Sequence, residues 1–272
     1  MGELKLQGLG KVHFHEYGEG TKPMLAFHGY GMTGKQFHVL AKSVLPNYRI
    51  YGFDHFFHDG SELQGWTEKQ IIGGMGKDRV RDYLEEWFKI YGRQRISLMG
   101  YSIGANIVLL LVEEYADLID EIILMAPDGI TTFKGFNFLT NKTVGKKLFK
   151  SATKSKWLVP ALLKSMLKFG MIDEALYKIA HSETDTEKKR HDVYYTLNLI
   201  RHLKPDAKKI AGLINQYHIK CRLIFGKFDN LFPKSGAKHF IELLENADVH
   251  EVDLGHWLVT PALDEYLINL KQ

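Results

Sequence analysis

The most chemically pointed feature of the chain is a serine set between glycines, Gly100-Tyr101-Ser102-Ile103-Gly104. Its G-x-S-x-G spacing follows the apolar run Ile96-Ser97-Leu98-Met99 and opens a helical stretch over residues 105–115. A serine on a sharp strand-to-helix turn stands above the sheet with its hydroxyl presented, which is what nucleophilic attack requires. Small flanking residues suit the strained backbone of such a turn. The helix N-terminus behind Ser102 favours negative charge developing there. The competing reading makes Ser102 an ordinary helix cap. The buried strand just before it favours the nucleophile.

Presenting such a serine takes a scaffold, and the patterning supplies one. Residues 24–27 and 49–53 read as buried strands, with Phe37, Leu40, Ala41 and Val44 at helical spacing between them. Residues 11–17 alternate with period two and Gly18-Glu19-Gly20 follows as a turn, so a hairpin is expected to begin the chain. Residues 67–90 read as a helix striped by Val80, Tyr83, Leu84, Trp87 and Phe88, weakened near its start by Gly73-Gly74-Met75-Gly76. Strand 95–99, helix 102–115 and strand 121–125 continue the rhythm. This alternation predicts an α/β fold with a mostly parallel, doubly wound sheet. From about 131 to 205 the alternation stops, and stretches such as 157–169 and 192–203 are amphipathic without strands between them. It resumes with strand 221–225, helix 235–244, strand 249–252 and helix 262–270. The expected organisation is a core of 1–130 and 206–272, interrupted by a helical insert over 131–205.

Composition narrows the class. The 272 residues are 45% hydrophobic and 25% charged, ordinary for a globular protein. No repeat or low-complexity tract appears. The apolar run from Ile107 to Val112 is far too short to span a bilayer. The first residues carry no apolar signal core and no myristoylation pattern. A single cysteine, Cys221, builds no disulfide framework and reads as a buried, inert thiol, so a reduced, cytoplasmic setting is expected. The net charge of +4 is mild, and no nucleic-acid partner is expected. It is unevenly spread: residues 131–210 hold 17 Lys/Arg against 7 Asp/Glu, which marks that segment as distinct.

With the elbow in this context, the chain resembles the α/β-hydrolase superfamily, in its cap-bearing esterase, lipase and C–C hydrolase branch. The resemblance extends over nearly the whole chain and implies that fold, with a helical cap inserted after the sixth strand and lying over the active site. Leu25-Ala26-Phe27-His28-Gly29-Tyr30-Gly31 resembles the family's strand ending in His-Gly. It implies that the N–H groups of Tyr30 and Ile103 form an oxyanion hole, with His28 bracing the loop. Gly226-Lys227-Phe228-Asp229, with Pro233 four positions on, resembles the family's Gly-x-x-Asp loop, and Gly255-His256-Trp257 its late Gly-His. The implied order is Ser102, Asp229, His256, in which neutral imidazole takes the serine proton and the carboxylate fixes its tautomer. Asp128, in Met125-Ala126-Pro127-Asp128-Gly129, is the rival acid with the poorer motif match.

Asp54-His55-Phe56-Phe57-His58-Asp59-Gly60-Ser61 aligns with the family's Asp-x-x-Gly-His-Gly-x-Ser loop. Phe57 and Asp59 stand where it has glycines, so an altered backbone route is expected there. Phe56, Phe57, Tyr101 and Trp257 are the expected substrate-lining residues. A metal reading of Asp54, His55 and His58 lacks a partner set with diagnostic spacing, and neither metal nor cofactor is expected. His13 and His15, on one face of an early strand, read as surface residues. Tyr194 and Tyr195 read as packing residues.

In residues 142–169, lysines interleave with Leu148, Phe149, Trp157, Leu158, Leu162, Leu163, Met166, Leu167 and Phe169. One reading buries the apolar stripe on the core and solvates the lysines. The other gives an apolar inner face for an acyl chain and a cationic outer face toward an anionic membrane surface. The first is preferred for the lysines, and an apolar pocket is preferred for the inner lining. The expected partner is a small or medium, largely apolar ester-like substrate cleaved through an acyl-enzyme. Alternatives are C–C hydrolysis, lyase or perhydrolase chemistry, a noncatalytic ligand-binding protein, and a membrane-associated interaction protein. The oligomeric state is left open.

Overall fold

Period-two burial builds the centre of the molecule, a computed structural model that describes residues 1–130 and 134–270. Along residues 22–27, Met24 and Ala26 turn to one face of the sheet while Leu25 and Phe27 turn to the other. Ile122 and Leu124 oppose Ile123 and Met125 in the same way. A sheet apolar on both faces must be covered on both, which is why its strands read as continuous apolar runs.

Among the described residues nine strands form one sheet: β1 (Gly2–Leu6), β2 (Gly10–Tyr17), β3 (Lys22–Phe27), β4 (Tyr48–Phe53), β5 (Glu62–Leu63), β6 (Ile96–Tyr101), β7 (Ile119–Met125), β8 (Lys220–Gly226) and β9 (Ala247–Val252). Their order is β1-β2-β4-β3-β6-β7-β8-β9, with β5 beside β2. β1, β2 and β4 pair antiparallel, and every neighbour from β4 to β9 pairs parallel. The helices outside the insert are α1 (Glu68–Gly73), α2 (Arg81–Tyr91) and α3 (Gly104–Tyr115), then α9 (Ala207–Gln216), α10 (Lys238–Leu243) and α11 (Pro261–Asn269). Trp87 of α2, Leu109 of α3, Ile210 of α9 and Phe240 of α10 pack into one core. Leu263 and Leu267 of α11, with Phe37, close the other. This is the expected doubly wound α/β architecture.

Three local expectations change. The opening hairpin is β1–β2, with its turn at residues 7–9. Gly18-Glu19-Gly20 instead leads from β2 to β3, which are not neighbours because β4 lies between them. The helix expected over 67–90 breaks into α1, a 3-10 turn (Lys77–Val80) and α2, as Gly74 leaves the helix at φ 88°. Phe37 sits in a 3-10 turn (Gly34–Val39) that ends before Ala41 and Val44.

Between β7 and α9 lie α4 (Lys134–Asn141), α5 (Thr143–Lys154), α6 (Leu158–Lys168), α7 (Glu174–Ser182) and α8 (Glu187–Ile200), with no strand among the described residues. The insert follows the sixth strand once the two-residue β5 is set aside. Its expected first residues, 131–133, lie outside the described residues. Its ends meet: a Cβ placed on Gly129 would lie 3.1 Å from Pro205 Cγ. Arg190 ties the insert internally, donating to the carbonyls of Thr153 (2.9 Å) and Thr184 (2.9 Å). Ties to the core are Met75 N–H to the Leu199 carbonyl (2.7 Å), Asn230 Nδ2 to the Gly170 carbonyl (2.8 Å) and Lys150 to Glu68 (3.0 Å). No helix of the described residues is long and apolar enough to cross a membrane.

Candidate active site

Ser102 follows the last residue of β6 at φ 51°, a left-handed conformation that costs a non-glycine residue about 1–2 kcal/mol. The turn is held from both sides. Ser102 N–H donates to the Met125 carbonyl at the end of β7 (2.9 Å), and the Ser102 carbonyl accepts from Ala105 N–H (3.0 Å) and Asp128 N–H (3.2 Å). The flanking glycines serve packing. A Cβ on Gly100 would lie 2.8 Å from Ala105 Cα, and one on Gly104 would fall on the Phe27 carbonyl. Without side chains there, α3 packs directly against β6 and β3.

Asp229 lies just beyond β8 and His256 in the loop after β9, so parallel strands deliver all three side chains to one end of the sheet. Ser102 Oγ lies 3.2 Å from His256 Nε2, and His256 Nδ1 lies 2.8 Å from Asp229 Oδ2. The other carboxylate oxygen, Oδ1, accepts from Leu231 N–H (2.8 Å) and Phe232 N–H (3.1 Å). Burial alone would raise the Asp229 pKa. The hydrogen bond and charge of His256, with the two backbone donors, outweigh it and hold the carboxyl below its ordinary value. The Tyr101 hydroxyl donates to the His256 carbonyl (2.7 Å), and the rings of Tyr101 and Phe232 flank the imidazole. Three groups in donor–acceptor order and a fixed tautomer make a relay that can draw a proton from Ser102.

Beside Ser102, the Tyr30 and Ile103 N–H groups find no acceptor among the described residues. Gly29 lets the loop in, since a Cβ there would lie 2.6 Å from the Tyr101 ring and 3.4 Å from Ser102 Cβ. His28 braces this loop as expected. Its Nε2 accepts from His55 N–H (3.0 Å), so Nδ1 carries the proton and donates to the Gly29 carbonyl (2.6 Å). His55 Nε2 donates to the His28 carbonyl (2.6 Å), and Gly31 N–H donates to His58 Nε2 (3.4 Å). Burial lowers the pKa of all three histidines, that of His55 to about 3.

A cavity of about 160 Å³ opens at Ser102 and His256, lined by Tyr30, Tyr101, Leu176, Ile179, Ala180, Leu231, Phe232 and Trp257. A second, of about 210 Å³, shares Leu176, Ala180, Leu231 and Phe232 with it and extends past Ile103, Asp128, Leu163 and Met166. The insert therefore roofs the space: Asp173 packs over Gly255 and Glu183 over Gly31. The larger cavity of about 510 Å³ lies at the opposite, N-terminal ends of β8 and β9.

Tyr101 and Trp257 line the first cavity, but Phe56 and Phe57 line neither. Phe56 is buried in the core beside Tyr83, and Phe57 packs against Tyr195 of α8. Where glycine was missed, the backbone keeps glycine's conformation: φ is 69° at Phe57 and 37° at Asp59. That turn sends successive side chains away from Ser102. His15 is also not a surface residue. It pairs with buried Asp54 (2.9 Å) because the 54–61 loop folds over β2, Ser61 Oγ accepting from His13 N–H. His15, Asp54 and Asp59 form a group of metal-ligand types, yet Asp54 is already engaged by His15 and by Gly34 N–H (2.7 Å). Asp128, the rival acid, is held by Asn106 (3.0 Å) and Gly129 N–H (2.9 Å), and burial pushes its pKa up to about 6. The imidazole turns to Asp229. Leu176, Ile179, Ala180, Leu231 and Phe232 carry no sequence signal beyond helical periodicity and proximity to Asp229. Cys221 is buried, and burial pushes its thiol up to about 12.

Residues 22–151 match the family described as alpha/beta hydrolase fold. A thermophilic esterase from Thermogutta terrifontis is similar at 13% identity and TM-score 0.68, over 99% of this chain and 95% of that one. A meta-cleavage product hydrolase from Pseudomonas fluorescens is similar at 16% identity and TM-score 0.67, over 99% and 96%. A bromoperoxidase from Bacillus anthracis is similar at 17% identity and TM-score 0.64, over 100% and 99%. No curated protein matches the chain in sequence. The chain has the alpha/beta hydrolase fold.

Proposed function

We propose that the protein is a cofactor-independent serine hydrolase that cleaves an ester-like bond of a small or medium, largely apolar substrate. The observation that carries this reading is the hydrogen-bonded series Ser102–His256–Asp229 opening into an apolar cavity. His256 takes the Ser102 proton as Oγ attacks the carbonyl carbon, and the Tyr30 and Ile103 amides hold the oxyanion. His256 then protonates the leaving alcohol, which departs and leaves an acyl-serine. Water, deprotonated by His256, releases the acid and restores Ser102. Similarity to an esterase and to other hydrolases of this fold supports the reaction class. The adjoining apolar cavities favour an acyl chain over a polar one.

The test is covalent labelling with a fluorophosphonate, together with hydrolysis of p-nitrophenyl esters of increasing chain length. Wild type should label and turn over. Ser102→Ala should do neither, with kcat lower by roughly 10⁶. A folded wild type that neither labels nor hydrolyses any ester would overturn the reading. Turnover of vinylogous diketones without ester turnover would move it to carbon–carbon bond hydrolysis.

A further inference from the structure

The insert wears apolar side chains on the wrong side for a helix that merely covers a core. In α6, Leu163 and Met166 face inward and line the cavity beside Ile103. Leu158, Leu162 and Phe169 recur on another stripe at helical spacing and point away from it. Trp157 is 84% exposed, Phe169 73% and Leu162 50%. Val144 and Leu148 of α5 are exposed as well. The lysines are solvated and Leu163 and Met166 line an apolar cavity, but α5 and α6 each also leave apolar residues in water.

The charge around these side chains is of one sign. Residues 142–172 contain eight lysines and no aspartate or glutamate. Among the described residues only Lys150 of the eight forms an ion pair, with Glu68. Lys154, Lys156, Lys164 and Lys168 are exposed in the same segment as Trp157 and the Leu158–Leu162–Phe169 stripe. Exposed tryptophan, leucine and phenylalanine along one helix, with exposed lysines interspersed in the same segment, match the graded polarity of a bilayer interface. Indole sits at headgroup depth, apolar tips reach the acyl boundary, and ammonium groups meet lipid phosphates. A second copy is a poor occupant, since a two-fold contact brings the same lysines against each other.

We propose that the outer face of α5 and α6 is a docking surface for an anionic lipid bilayer. Lysines supply the attraction and Trp157, Leu162 and Phe169 supply shallow insertion. α6 then has the membrane on one side and the apolar cavity on the other. The surface stands independently of whether Ser102 attacks an ester.

The experiment is co-sedimentation of the full chain with vesicles of phosphatidylcholine alone and of phosphatidylcholine mixed equally with phosphatidylglycerol. Uptake should favour the anionic vesicles strongly. It should fall as salt is raised from about 0.1 M to about 1 M, where the screening length shrinks from about 10 Å to about 3 Å. Lys156→Gln/Lys164→Gln/Lys168→Gln should lower partitioning by roughly a hundredfold, at about fivefold per lysine. Trp157→Ala should lower it by about tenfold. All four positions are exposed, and circular dichroism checks the fold of each variant. Vesicles should blue-shift the tryptophan emission of wild type but not of Trp157→Phe. Ser102→Ala should sediment like wild type, so docking and hydrolysis succeed or fail separately. Equal uptake on neutral and anionic vesicles, or no uptake, would overturn the proposal. A dimer that Trp157→Ala dissolves, without vesicle uptake, would assign the face to a second copy and overturn it too.

Discussion

Replacing Asp229 by asparagine tests the relay more sharply than deleting any of its members. The carboxylate meets two kinds of partner: Oδ1 accepts from the Leu231 and Phe232 N–H groups, while Oδ2 faces His256 Nδ1. Asparagine has one acceptor oxygen and one donor nitrogen. Two fixed backbone donors claim the oxygen, so the amide nitrogen must face His256. The imidazole then accepts at Nδ1 and carries its proton on Nε2, toward Ser102 Oγ. That tautomer cannot take the serine proton. The expected loss is about 10⁴ in kcat, with the backbone bonds preserved and stability within about 1 kcal/mol of wild type. Asp229→Ala is a poorer probe, because it strands buried donors at about 1–3 kcal/mol each. The assay is kcat on a p-nitrophenyl ester alongside the thermal midpoint. Asp128→Asn, which sits outside the relay, should lose only a few-fold. An Asp229→Asn enzyme within tenfold of wild type, at an unchanged midpoint, would refute the tautomer argument.

Ser102→Gly should be more stable than Ser102→Ala by about 1 kcal/mol, some 2–4 °C in Tm, because glycine accepts φ 51° without strain; equal midpoints would mean the turn stores nothing. Gly29→Ala should cut kcat about a hundredfold, since its Cβ would meet the Tyr101 ring and push the Tyr30 amide out of place; unchanged kinetics would remove that amide from the reaction. Stability should fall on acidification below about pH 6.5, where an unfolded histidine gains a proton that buried His28, His55 and His58 resist. Each histidine that stays neutral down to pH 5 costs about 2 kcal/mol. Asp128, raised to about 6, takes up a proton more readily when folded and offsets part of this. Urea midpoints that stay flat between pH 7 and 5 would contradict it.

The parts of the site that sequence made legible are those punctuated by glycine at strand ends. Ser102, Asp229 and His256 each follow an apolar strand and a Gly-containing turn, so a parallel sheet leaves little choice about where they meet. Tyr101 and Trp257 came with them as chain neighbours. Phe56 and Phe57 did not, because two left-handed residues redirect the loop and composition alone does not reveal direction. His15 was misplaced because alternation gives the face of a strand, and only the tertiary fold shows that the 54–61 loop crosses that face. In the insert, periodicity marks an apolar stripe without saying whether the core or the solvent meets it. Leu163 and Leu162 are adjacent, equally apolar and opposite in fate.

The contact between Gly129 and Pro205 has an evolutionary reading. Because the two feet of the insert touch, everything between them can be exchanged for another length of chain without changing where β7 ends or α9 begins. Ser102, Asp229 and His256 all lie outside those feet, whereas Leu163, Met166, Leu176, Ile179 and Ala180 of the cavity walls lie within them. A lineage could thus exchange one contiguous stretch of gene and leave Ser102, Asp229 and His256 where they are.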